Sequence, residues 1–241
     1  MTRFEEIRSL PLFAGIGDEA FAALTRGAYV QNFPPAVDLI NEGETADFLY
    51  IVASGSVELY AGWNGRETSV AFLRPYDTFI LAATIKNAPY LMSARTMTKS
   101  RLIMIPSENV RSIFETDTEF ARAIVSELAK CYRASVRNLK NEKLRTAVER
   151  LANYIVKHYR REGEDGHFDL PVEKRKLAAR LGMTPENLSR AFSALKNHGV
   201  EVEGSRITIR EPERLIAFAK PDPLIDKEET RESPRAPSGI A

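Results

Sequence analysis

Four polar side chains lie in one short stretch of the sequence, and their types suit hydrogen bonding to the edges of nucleic-acid bases. They are Glu186, Asn187, Ser189 and Arg190. The Arg190 guanidinium can donate two hydrogen bonds to O6 and N7 of guanine, and the Glu186 carboxylate can accept from amino groups of cytosine or adenine. Ser189 is adaptable and could contact a thymine edge. Such a role requires an element that presents these side chains outward.

The flanking residues predict that this element is a helix beginning at Pro185. Thr184 offers a side-chain oxygen to the first backbone amides, and Pro185 suits the first helical position because its missing N–H costs nothing there. Gly199 suits the left-handed position that closes a helix. Four apolar residues recur at helical spacing and predict a buried stripe: Leu188, Ala191, Phe192 and Leu195. The polar residues are then left on the outer side of the helix.

A second helix and a hairpin flank this predicted helix. Apolar residues recur at helical spacing over residues 177–181, before Gly182, which permits a tight turn. Residues 200–210 alternate apolar and polar types around Gly204–Ser205, which is the pattern of a β-hairpin. The whole predicts a winged helix-turn-helix, which reads the major groove of DNA. The alternative is an ordinary helical hairpin, because the bare pattern also occurs in other small domains.

Candidate contacts to DNA phosphates surround the predicted helix. They are Thr184, Lys196, His198 and Arg206. Cationic and hydroxyl side chains donate hydrogen bonds to phosphate oxygens when they lie at a helix end or in a wing. Such contacts position a protein on the duplex without reading its sequence. A further basic run, Lys174–Lys176, lies on the first helix. The alternative for all of these side chains is solvated charge.

Composition excludes several classes of function. The 241 residues include one cysteine, which excludes an internal disulfide framework and a cysteine-ligated iron–sulfur cluster. The formal net charge of +1 does not indicate a nucleic-acid partner, although a binding footprint can be local. Without a bilayer-length apolar run or a signal peptide, we expect a cytoplasmic protein that does not contact membranes. No nucleophile–base pair, metal-ligand spacing or phosphate-cradling glycine loop is present, and we expect no enzymatic activity.

The first half of the chain has the pattern of a β domain. Between residues 28 and 105, short apolar or alternating runs are separated by turn residues, and Asn64–Gly65 is a strong hairpin signal. Regularly spaced short strands favour a barrel, sandwich or roll. Four regions are predicted: a sensor domain at 1–107, a long helix and hinge at 108–141, a winged helix-turn-helix at 142–222 and a disordered tail at 223–241.

In the helical segment from Glu108 to Lys140, apolar residues cover a wider arc of the helix than one helix–helix contact needs. One edge is predicted to pack on the same helix of a second copy: Ile124, Leu128, Cys131 and Ser135. The other edge is predicted to serve the chain's own core: Val125, Tyr132, Val136 and Leu139. A homodimer would match the symmetry of DNA operators, and the alternative is a long core helix in a monomer. The hinge is predicted at Asn138–Asn141.

Taken in sequence order, these elements resemble the CRP/FNR superfamily of bacterial transcription regulators over about residues 5–219. The resemblance rests on four stretches: Glu42–Glu44, Tyr50–Val52 with Ser54–Val57, Tyr76–Phe79 and Leu181–Arg190. It implies an α+β chain with an N-terminal cyclic-nucleotide-binding-like β-roll, a long dimerisation helix and a C-terminal winged helix-turn-helix. It also implies double-stranded DNA, a second copy of the chain and RNA polymerase as partners.

The first half departs from the family's cyclic-nucleotide binders at the residues that hold the ligand. In those binders a Gly-Glu pair supplies a ribose contact, and a later Arg-Ser pair supplies the Arg that binds the cyclic phosphate. By spacing, the equivalent positions of the effector pocket here are Phe79, Leu81, Ala82, Met92 and Ser93. Burying a phosphate without a cationic partner is costly, so we expect cyclic AMP binding to be lost or very weak. Arg95 could bind the phosphate only if the register of its strand shifted by two residues, and we interpret it as structural.

The apolar replacements resemble the nitric-oxide-responsive Dnr/NnrR-like branch more than the cyclic AMP branch, which leaves haem open as a cofactor. The three histidines all follow the long helix: His158, His167 and His198. A haem in the first half would therefore rely on Met92, Met104, Cys131, a tyrosine or a ligand other than a side chain. The alternative is an effector-independent regulator whose degenerate pocket is filled by Leu81, Tyr90 and Met92.

The recognition segment resembles the FNR-type pattern Glu-x-x-Ser-Arg, with Glu186, Ser189 and Arg190 at its fixed positions. It departs from the Arg-Glu-x-x-x-Arg of the cyclic AMP branch because Pro185 stands where the first Arg would be. The likeness implies a palindromic target close to TTGAT–N4–ATCAA. Pro185 leaves the affinity for variants of that site open.

Overall fold

A computed structural model describes residues 4–162, 166–170 and 173–227. The described residues form two compact units, one of which ends at Cys131 while the other begins at Tyr132. Across these described ranges, no helix combines the length and the apolar character needed to cross a membrane.

The first unit is built around antiparallel strands. They are β1 Tyr29–Phe33, β2 Asp38–Ile40, β3 Phe48–Ser54, β4 Val57–Trp63, β5 Arg66–Leu73, β6 Thr78–Phe79, β7 Ser93–Thr96 and β8 Ser100–Pro106. They pair in two sheets with the orders β1-β8-β3-β6 and β2-β7-β4-β5. The predicted hairpin is confirmed: Asn64 (φ 51°) and Gly65 (φ 74°) connect β4 to β5, and Trp63 pairs with Arg66. Positive φ at both turn residues matches the twist of the two strands.

Strand alternation divides the interior of the first unit into two cores. Along β3, successive side chains point to opposite faces of the sheet. Leu49 and Ile51 join a cluster with residues from the helices, which we call the helix-facing cluster. Tyr50 and Val52 join a cluster with residues from both sheets, which we call the inter-sheet cluster. Of the residues predicted for the effector pocket, Phe79 and Met92 belong to the inter-sheet cluster.

The helices of the first part of the chain are α1 Glu5–Arg8, α2 Asp18–Leu24, α3 Leu81–Lys86, α4 Ser107–Thr116 and α5 Thr118–Leu144. The single helix predicted over 108–140 is therefore wrong, because Asp117 separates α4 from α5. Its backbone is extended (φ −112°, ψ 111°), and its carboxylate accepts a 2.8 Å hydrogen bond from the Phe120 N–H, which caps α5.

The predicted hinge position is also wrong. α5 continues through Asn138–Asn141 to Leu144, and the helical structure breaks at Arg145–Thr146. Thr146 and Glu149 then form a capping box: the Thr146 N–H donates to Glu149 Oε2 (2.8 Å), and the Glu149 N–H donates to Thr146 Oγ1 (3.3 Å). This reciprocal pair fixes the start of the next helix.

The second unit contains a small sheet among helices. Its further elements are α6 Ala147–Glu162, β9 His167–Asp169, α7 Lys174–Arg180, α8 Pro185–Leu195, a 3₁₀ turn Lys196–His198, β10 Val200–Glu203, β11 Arg206–Ile209, α9 Pro212–Ala219 and α10 Pro223–Asp226. The strand order is β10-β11-β9, and β10 and β11 form the predicted hairpin with Glu203 paired to Arg206. One apolar core contains residues of the four helices α6, α7, α8 and α9 and of this sheet. The α+β fold class with a winged helix-turn-helix is confirmed.

The start of the predicted disordered tail is ordered in the structure. Residues 223–226 form α10, and Asp226 accepts two hydrogen bonds from the Arg145 guanidinium, at 2.7 and 2.6 Å. The prediction of disorder is wrong there because it rested on composition and missed this ion pair. Residues 228–241 lie outside the described residues.

Candidate nucleic-acid interface

Local sequence signals fix both ends of α8. Thr184 adopts extended backbone angles and its hydroxyl oxygen accepts from the Asn187 N–H at 3.2 Å, while Pro185 occupies the first turn. Gly199 (φ 76°) follows the 3₁₀ turn, and a Cβ there would lie 2.5 Å from Glu211 Cβ. The predicted stripe is buried: Leu188, Ala191, Phe192 and Leu195. The helix is therefore anchored by one face only.

The opposite face presents the four predicted base-reading side chains. Glu186, Asn187, Ser189 and Arg190 are all exposed. The Thr184 hydroxyl, the backbone N–H of Glu186 and the charge of Arg190 lower the pKa of Glu186 below its usual value. The carboxylate is therefore an acceptor at neutral pH. Beside it, Arg190 Nη1 lies 3.5 Å from Asn187 Oδ1, at the outer limit of a hydrogen bond.

The predicted phosphate contacts differ in their surroundings. Lys196 and Arg206 are exposed, at the end of the recognition segment and in the wing. His198 is half-buried, and its ring stacks on Phe218 with centroids 4.0 Å apart. The Thr184 hydroxyl is engaged in the helix cap. Lys196 and Arg206 are thus open to a ligand, whereas packing accounts for the position of His198.

A cleft of about 200 Å³ lies along α8 beside the wing. Its lining combines apolar side chains with two cationic and two hydroxyl groups: Lys174, Pro185, Leu188, Ser189, Phe192, Ser193, Lys196 and Val202. Lys174 Nζ lies 5.7 Å from the centre of the Phe192 ring. Ser193 was not among the predicted contacts; it follows Ser189 by four residues, so both lie on one face of α8.

The interior of the first unit is partly filled where the effector pocket was predicted. Phe79 is buried and stacks on Tyr50 with centroids 4.9 Å apart. Tyr90 and Met92 pack in the same inter-sheet cluster. Ser93 is also buried, and its hydroxyl oxygen accepts from the Glu42 N–H at 2.9 Å. Ser93 is the polar residue that remains at the predicted phosphate position, and its hydroxyl already has a hydrogen-bond partner within the protein.

Leu81 and Ala82 are not placed as predicted. Leu81 packs in the helix-facing cluster, and Ala82 is exposed. The reason is local: Ile80 adopts a left-handed conformation (φ 68°), and α3 begins immediately afterwards. The idea that Leu81 fills the pocket together with Tyr90 and Met92 is therefore wrong for Leu81.

Arg95 is engaged in the sheet that contains β7. Its Nε donates to Glu58 Oε2 at 2.9 Å, and its guanidinium lies 4.3 Å from the centre of the Tyr60 ring. Glu67 accepts two further hydrogen bonds from it. Glu58 is only 1% exposed, so Arg95 pairs with a buried carboxylate. The contacts support the structural interpretation of Arg95.

Within the described residues, no group of three histidine, cysteine or acidic side chains is arranged to hold a metal ion. Met92 and Met104 both pack against the inter-sheet cluster, and Cys131 is exposed on α5. Of the sulfur-containing side chains predicted as haem ligands, Met92 and Met104 thus lie at the inter-sheet cluster.

Burial along α5 departs from the prediction at both edges, because Ile124 and Leu128 pack in the chain's own core while the residues predicted for that core are exposed. Ile124 is completely buried in the helix-facing cluster, and Leu128 packs partly against it. Cys131 and Ser135 are exposed. The residues predicted for the chain's own core are instead exposed, and we call them the apolar stripe: Val125, Tyr132, Val136 and Leu139. Their spacing of seven, four and three residues is that of a helix–helix seam.

Two family models match the chain. The cyclic nucleotide-binding domain matches residues 30–117, and the Crp-like helix-turn-helix domain matches residues 149–218. The CRP-like cAMP-activated global transcriptional regulator of Mycobacterium tuberculosis is 26% identical over 215 residues, covering 87% of this chain and 96% of that protein. The nitrogen fixation regulation protein FixK of Rhizobium meliloti is 26% identical and covers 81% of this chain and 85% of that protein.

A solved structure agrees with these matches. FixK2 from Bradyrhizobium japonicum has a TM-score of 0.64 and 25% identity, covering 79% of this chain and 96% of that one. The relatives include a cAMP-activated regulator and FixK, so the likeness to a Dnr/NnrR-like branch stays a prediction. The full-length relatives are transcription regulators, which confirms that the chain is not an enzyme. With a cyclic-nucleotide-binding-like sensor domain and a Crp-like helix-turn-helix in one chain, the protein is a DNA-binding transcription regulator of the CRP/FNR family.

Proposed function

We propose that the protein is a homodimer that reads a palindrome close to TTGAT–N4–ATCAA through α8. The observation that carries the proposal is the pair of Glu186 and Arg190, an ionised acceptor and a guanidinium donor exposed together on a helix anchored by its other face. In this role Arg190 donates to O6 and N7 of one guanine, and Glu186 accepts from a cytosine or adenine amino group. Ser189 and Asn187 contact neighbouring base edges.

The surrounding side chains bind the DNA backbone. Lys196 and Arg206 contact phosphates, because both are exposed next to α8 or in the wing. Thr184 and His198 are weaker candidates, since the first caps α8 and the second stacks on Phe218. Contacts of this kind add affinity that depends on salt and not on sequence.

Dimerisation uses the apolar stripe of α5. Four exposed apolar side chains at seam spacing are best covered by the same stripe of a second copy. This arrangement replaces the predicted interface through Ile124. In a cytoplasmic setting the DNA-bound dimer would then contact RNA polymerase.

The test is selection of binding sites from randomised duplexes with wild type and with Arg190→Ala. The variant should lose about 1–3 kcal/mol of discrimination at one guanine of each half-site. Arg160→Ala is the matched control, since it removes an exposed arginine from α6 rather than α8. If Arg190→Ala weakens binding to all sequences equally, Arg190 is a phosphate contact and the proposal is wrong.

A second candidate concerns regulation: the protein binds DNA without an effector. The observation that favours it is the packing of Tyr50, Phe79, Tyr90 and Met92 in the inter-sheet cluster, with Ser93 already bonded to the Glu42 N–H. Cyclic AMP would find no arginine at the Met92 position. DNA affinity should stay the same with added cyclic AMP or haemin, and the Soret band of haemin should stay that of the free compound when the purified protein is added. A shift in either experiment would favour the haem or nucleotide hypothesis instead.

A further inference from the structure

One arginine connects the end of α5 to the turn that precedes α8. Arg150, in the first turn of α6, donates from Nε to the Leu181 carbonyl at 2.8 Å and from Nη2 to the Gly182 carbonyl at 3.3 Å. Its Nη1 donates to the Arg145 carbonyl at 2.8 Å and to the Glu142 carbonyl at 3.4 Å. A single guanidinium thus bonds four carbonyl oxygens from two separate parts of the chain.

These four carbonyl oxygens belong to two helix C-termini. Glu142 and Arg145 lie at the end of α5, and Leu181 and Gly182 follow α7. The last carbonyls of a helix have no partner within the helix and carry its negative partial charge, so a cation that bonds them is favourable at both ends. Only a guanidinium has donors in a rigid fork wide enough to reach both sets, whereas a lysine ammonium is a point charge.

Further contacts on either side tie the junction to its neighbours. The Arg145 side chain is 8% exposed and bonds Asn141 Oδ1 (3.0 Å) in addition to Asp226. The Glu142 side chain lies beside Gly182, whose Cβ position would be 3.7 Å from Glu142 Oε1. The break between α5 and α6 is therefore packed against the turn of the helix-turn-helix.

We propose that Arg150 is a positioning residue that sets the geometry of α8 relative to the C-terminal end of α5, and thereby the spacing between the two half-sites that a dimer accepts. This inference rests on the proposed function, because spacing has meaning only for a dimer on a palindrome. Adding one base pair between half-sites moves one of them by about 3.4 Å and about 35°. A rigid link between α5 and α8 resists this displacement, and a loosened link tolerates it.

The test measures binding of full-length protein to duplexes in which the half-site selected by wild type is kept and the spacer runs from three to six base pairs. Wild type should prefer one spacer over its neighbours by at least about tenfold, the cost of roughly one mismatched base pair. Arg150→Gln and Arg150→Lys should reduce this preference to below about threefold while leaving base preference within each half-site unchanged. Arg160→Gln, an exposed arginine on the same helix, should behave as wild type.

The possible results distinguish a failure of the Arg150 proposal from a failure of the proposed function. If the Arg150 variants weaken binding to all spacers in equal proportion, Arg150 only stabilises the fold and the inference is wrong. If the circular dichroism spectrum shows that Arg150→Gln is misfolded, Arg150→Lys alone tests whether Arg150 sets the spacer preference. A spacer preference in Arg150→Lys equal to that of wild type also contradicts the inference. Wild type that selects no sequence at all contradicts the proposed function itself.

Discussion

Ile124→Ala and Tyr132→Glu should separate the two faces of α5. Ile124 is completely buried in the helix-facing cluster, so its truncation leaves a cavity and should lower the free energy of unfolding of the first unit by about 2–5 kcal/mol. The dimer should persist at concentrations where the variant is folded. Tyr132 lies in the apolar stripe and should show the opposite behaviour, with a weakened dimer and unchanged unfolding of the first unit.

The size of the Tyr132 effect follows from its exposure. Its exposed fraction is 71%. A buried aromatic side chain covers about 200 Å², so complete coverage of the exposed part would stabilise each protomer by about 3.5 kcal/mol at roughly 25 cal/mol per Å². Tyr132→Glu removes this term and places two like charges near each other across the seam. The dissociation constant of the dimer should rise by at least about 100-fold.

The assay is sedimentation over a range of protein concentrations, combined with urea unfolding. Trp63→Glu is the matched control, because Trp63 is 79% exposed at the tip of the β4–β5 hairpin and lies outside α5. A dimer that survives Tyr132→Glu unchanged, or one that dissociates with Ile124→Ala while the first unit keeps its stability, would refute this account of α5.

Three further predictions concern stability. Arg95→Ala should lower the free energy of unfolding by about 3–5 kcal/mol in urea titrations, because it leaves the buried Glu58 carboxylate without its cation. The pKa of Asp226 lies below its usual value: burial opposes the charged form, but hydrogen bonds from Arg145 and the Asp222 N–H outweigh it. The ionised Asp226 carboxylate therefore stabilises the fold above the pKa that Asp226 has in the unfolded chain, and this stabilisation is lost as the pH falls through its pKa in the folded protein. Thermal melts of wild type should show this loss, and those of Asp226→Asn should not. Gly199→Ala should lower the melting temperature, since the new Cβ would lie 2.5 Å from Glu211 Cβ.

The recognition segment was predictable because its signals are local. The Thr184 cap, Pro185 in the first turn, the buried stripe from Leu188 to Leu195 and the left-handed Gly199 all depend on residues within a few positions of each other. Local backbone geometry decides such features, so sequence patterns specify them. The β4–β5 hairpin at Asn64–Gly65 was predictable for the same reason.

The mistaken predictions concern features that depend on distant residues. Which side of α5 meets its own domain depends on sheet residues far away in the sequence, and Ile124 and Val125 are equally apolar in the pattern. The break at Asp117 and the Thr146–Glu149 capping box carried local signals that the long helical pattern obscured. The pairing of Asp226 with Arg145 joins residues far apart in the chain, and composition alone could not indicate it.

Coupling between Arg190 and one guanine would show whether α8 reads base edges. Binding of wild type and Arg190→Ala would be measured to the selected duplex and to the same duplex with 7-deazaguanine, which lacks the N7 acceptor. In the double-mutant cycle, direct reading predicts a coupling free energy of about 1–3 kcal/mol at one guanine of each half-site. A coupling of zero at every guanine would contradict direct reading, because Arg190 would then contribute to binding without touching a base.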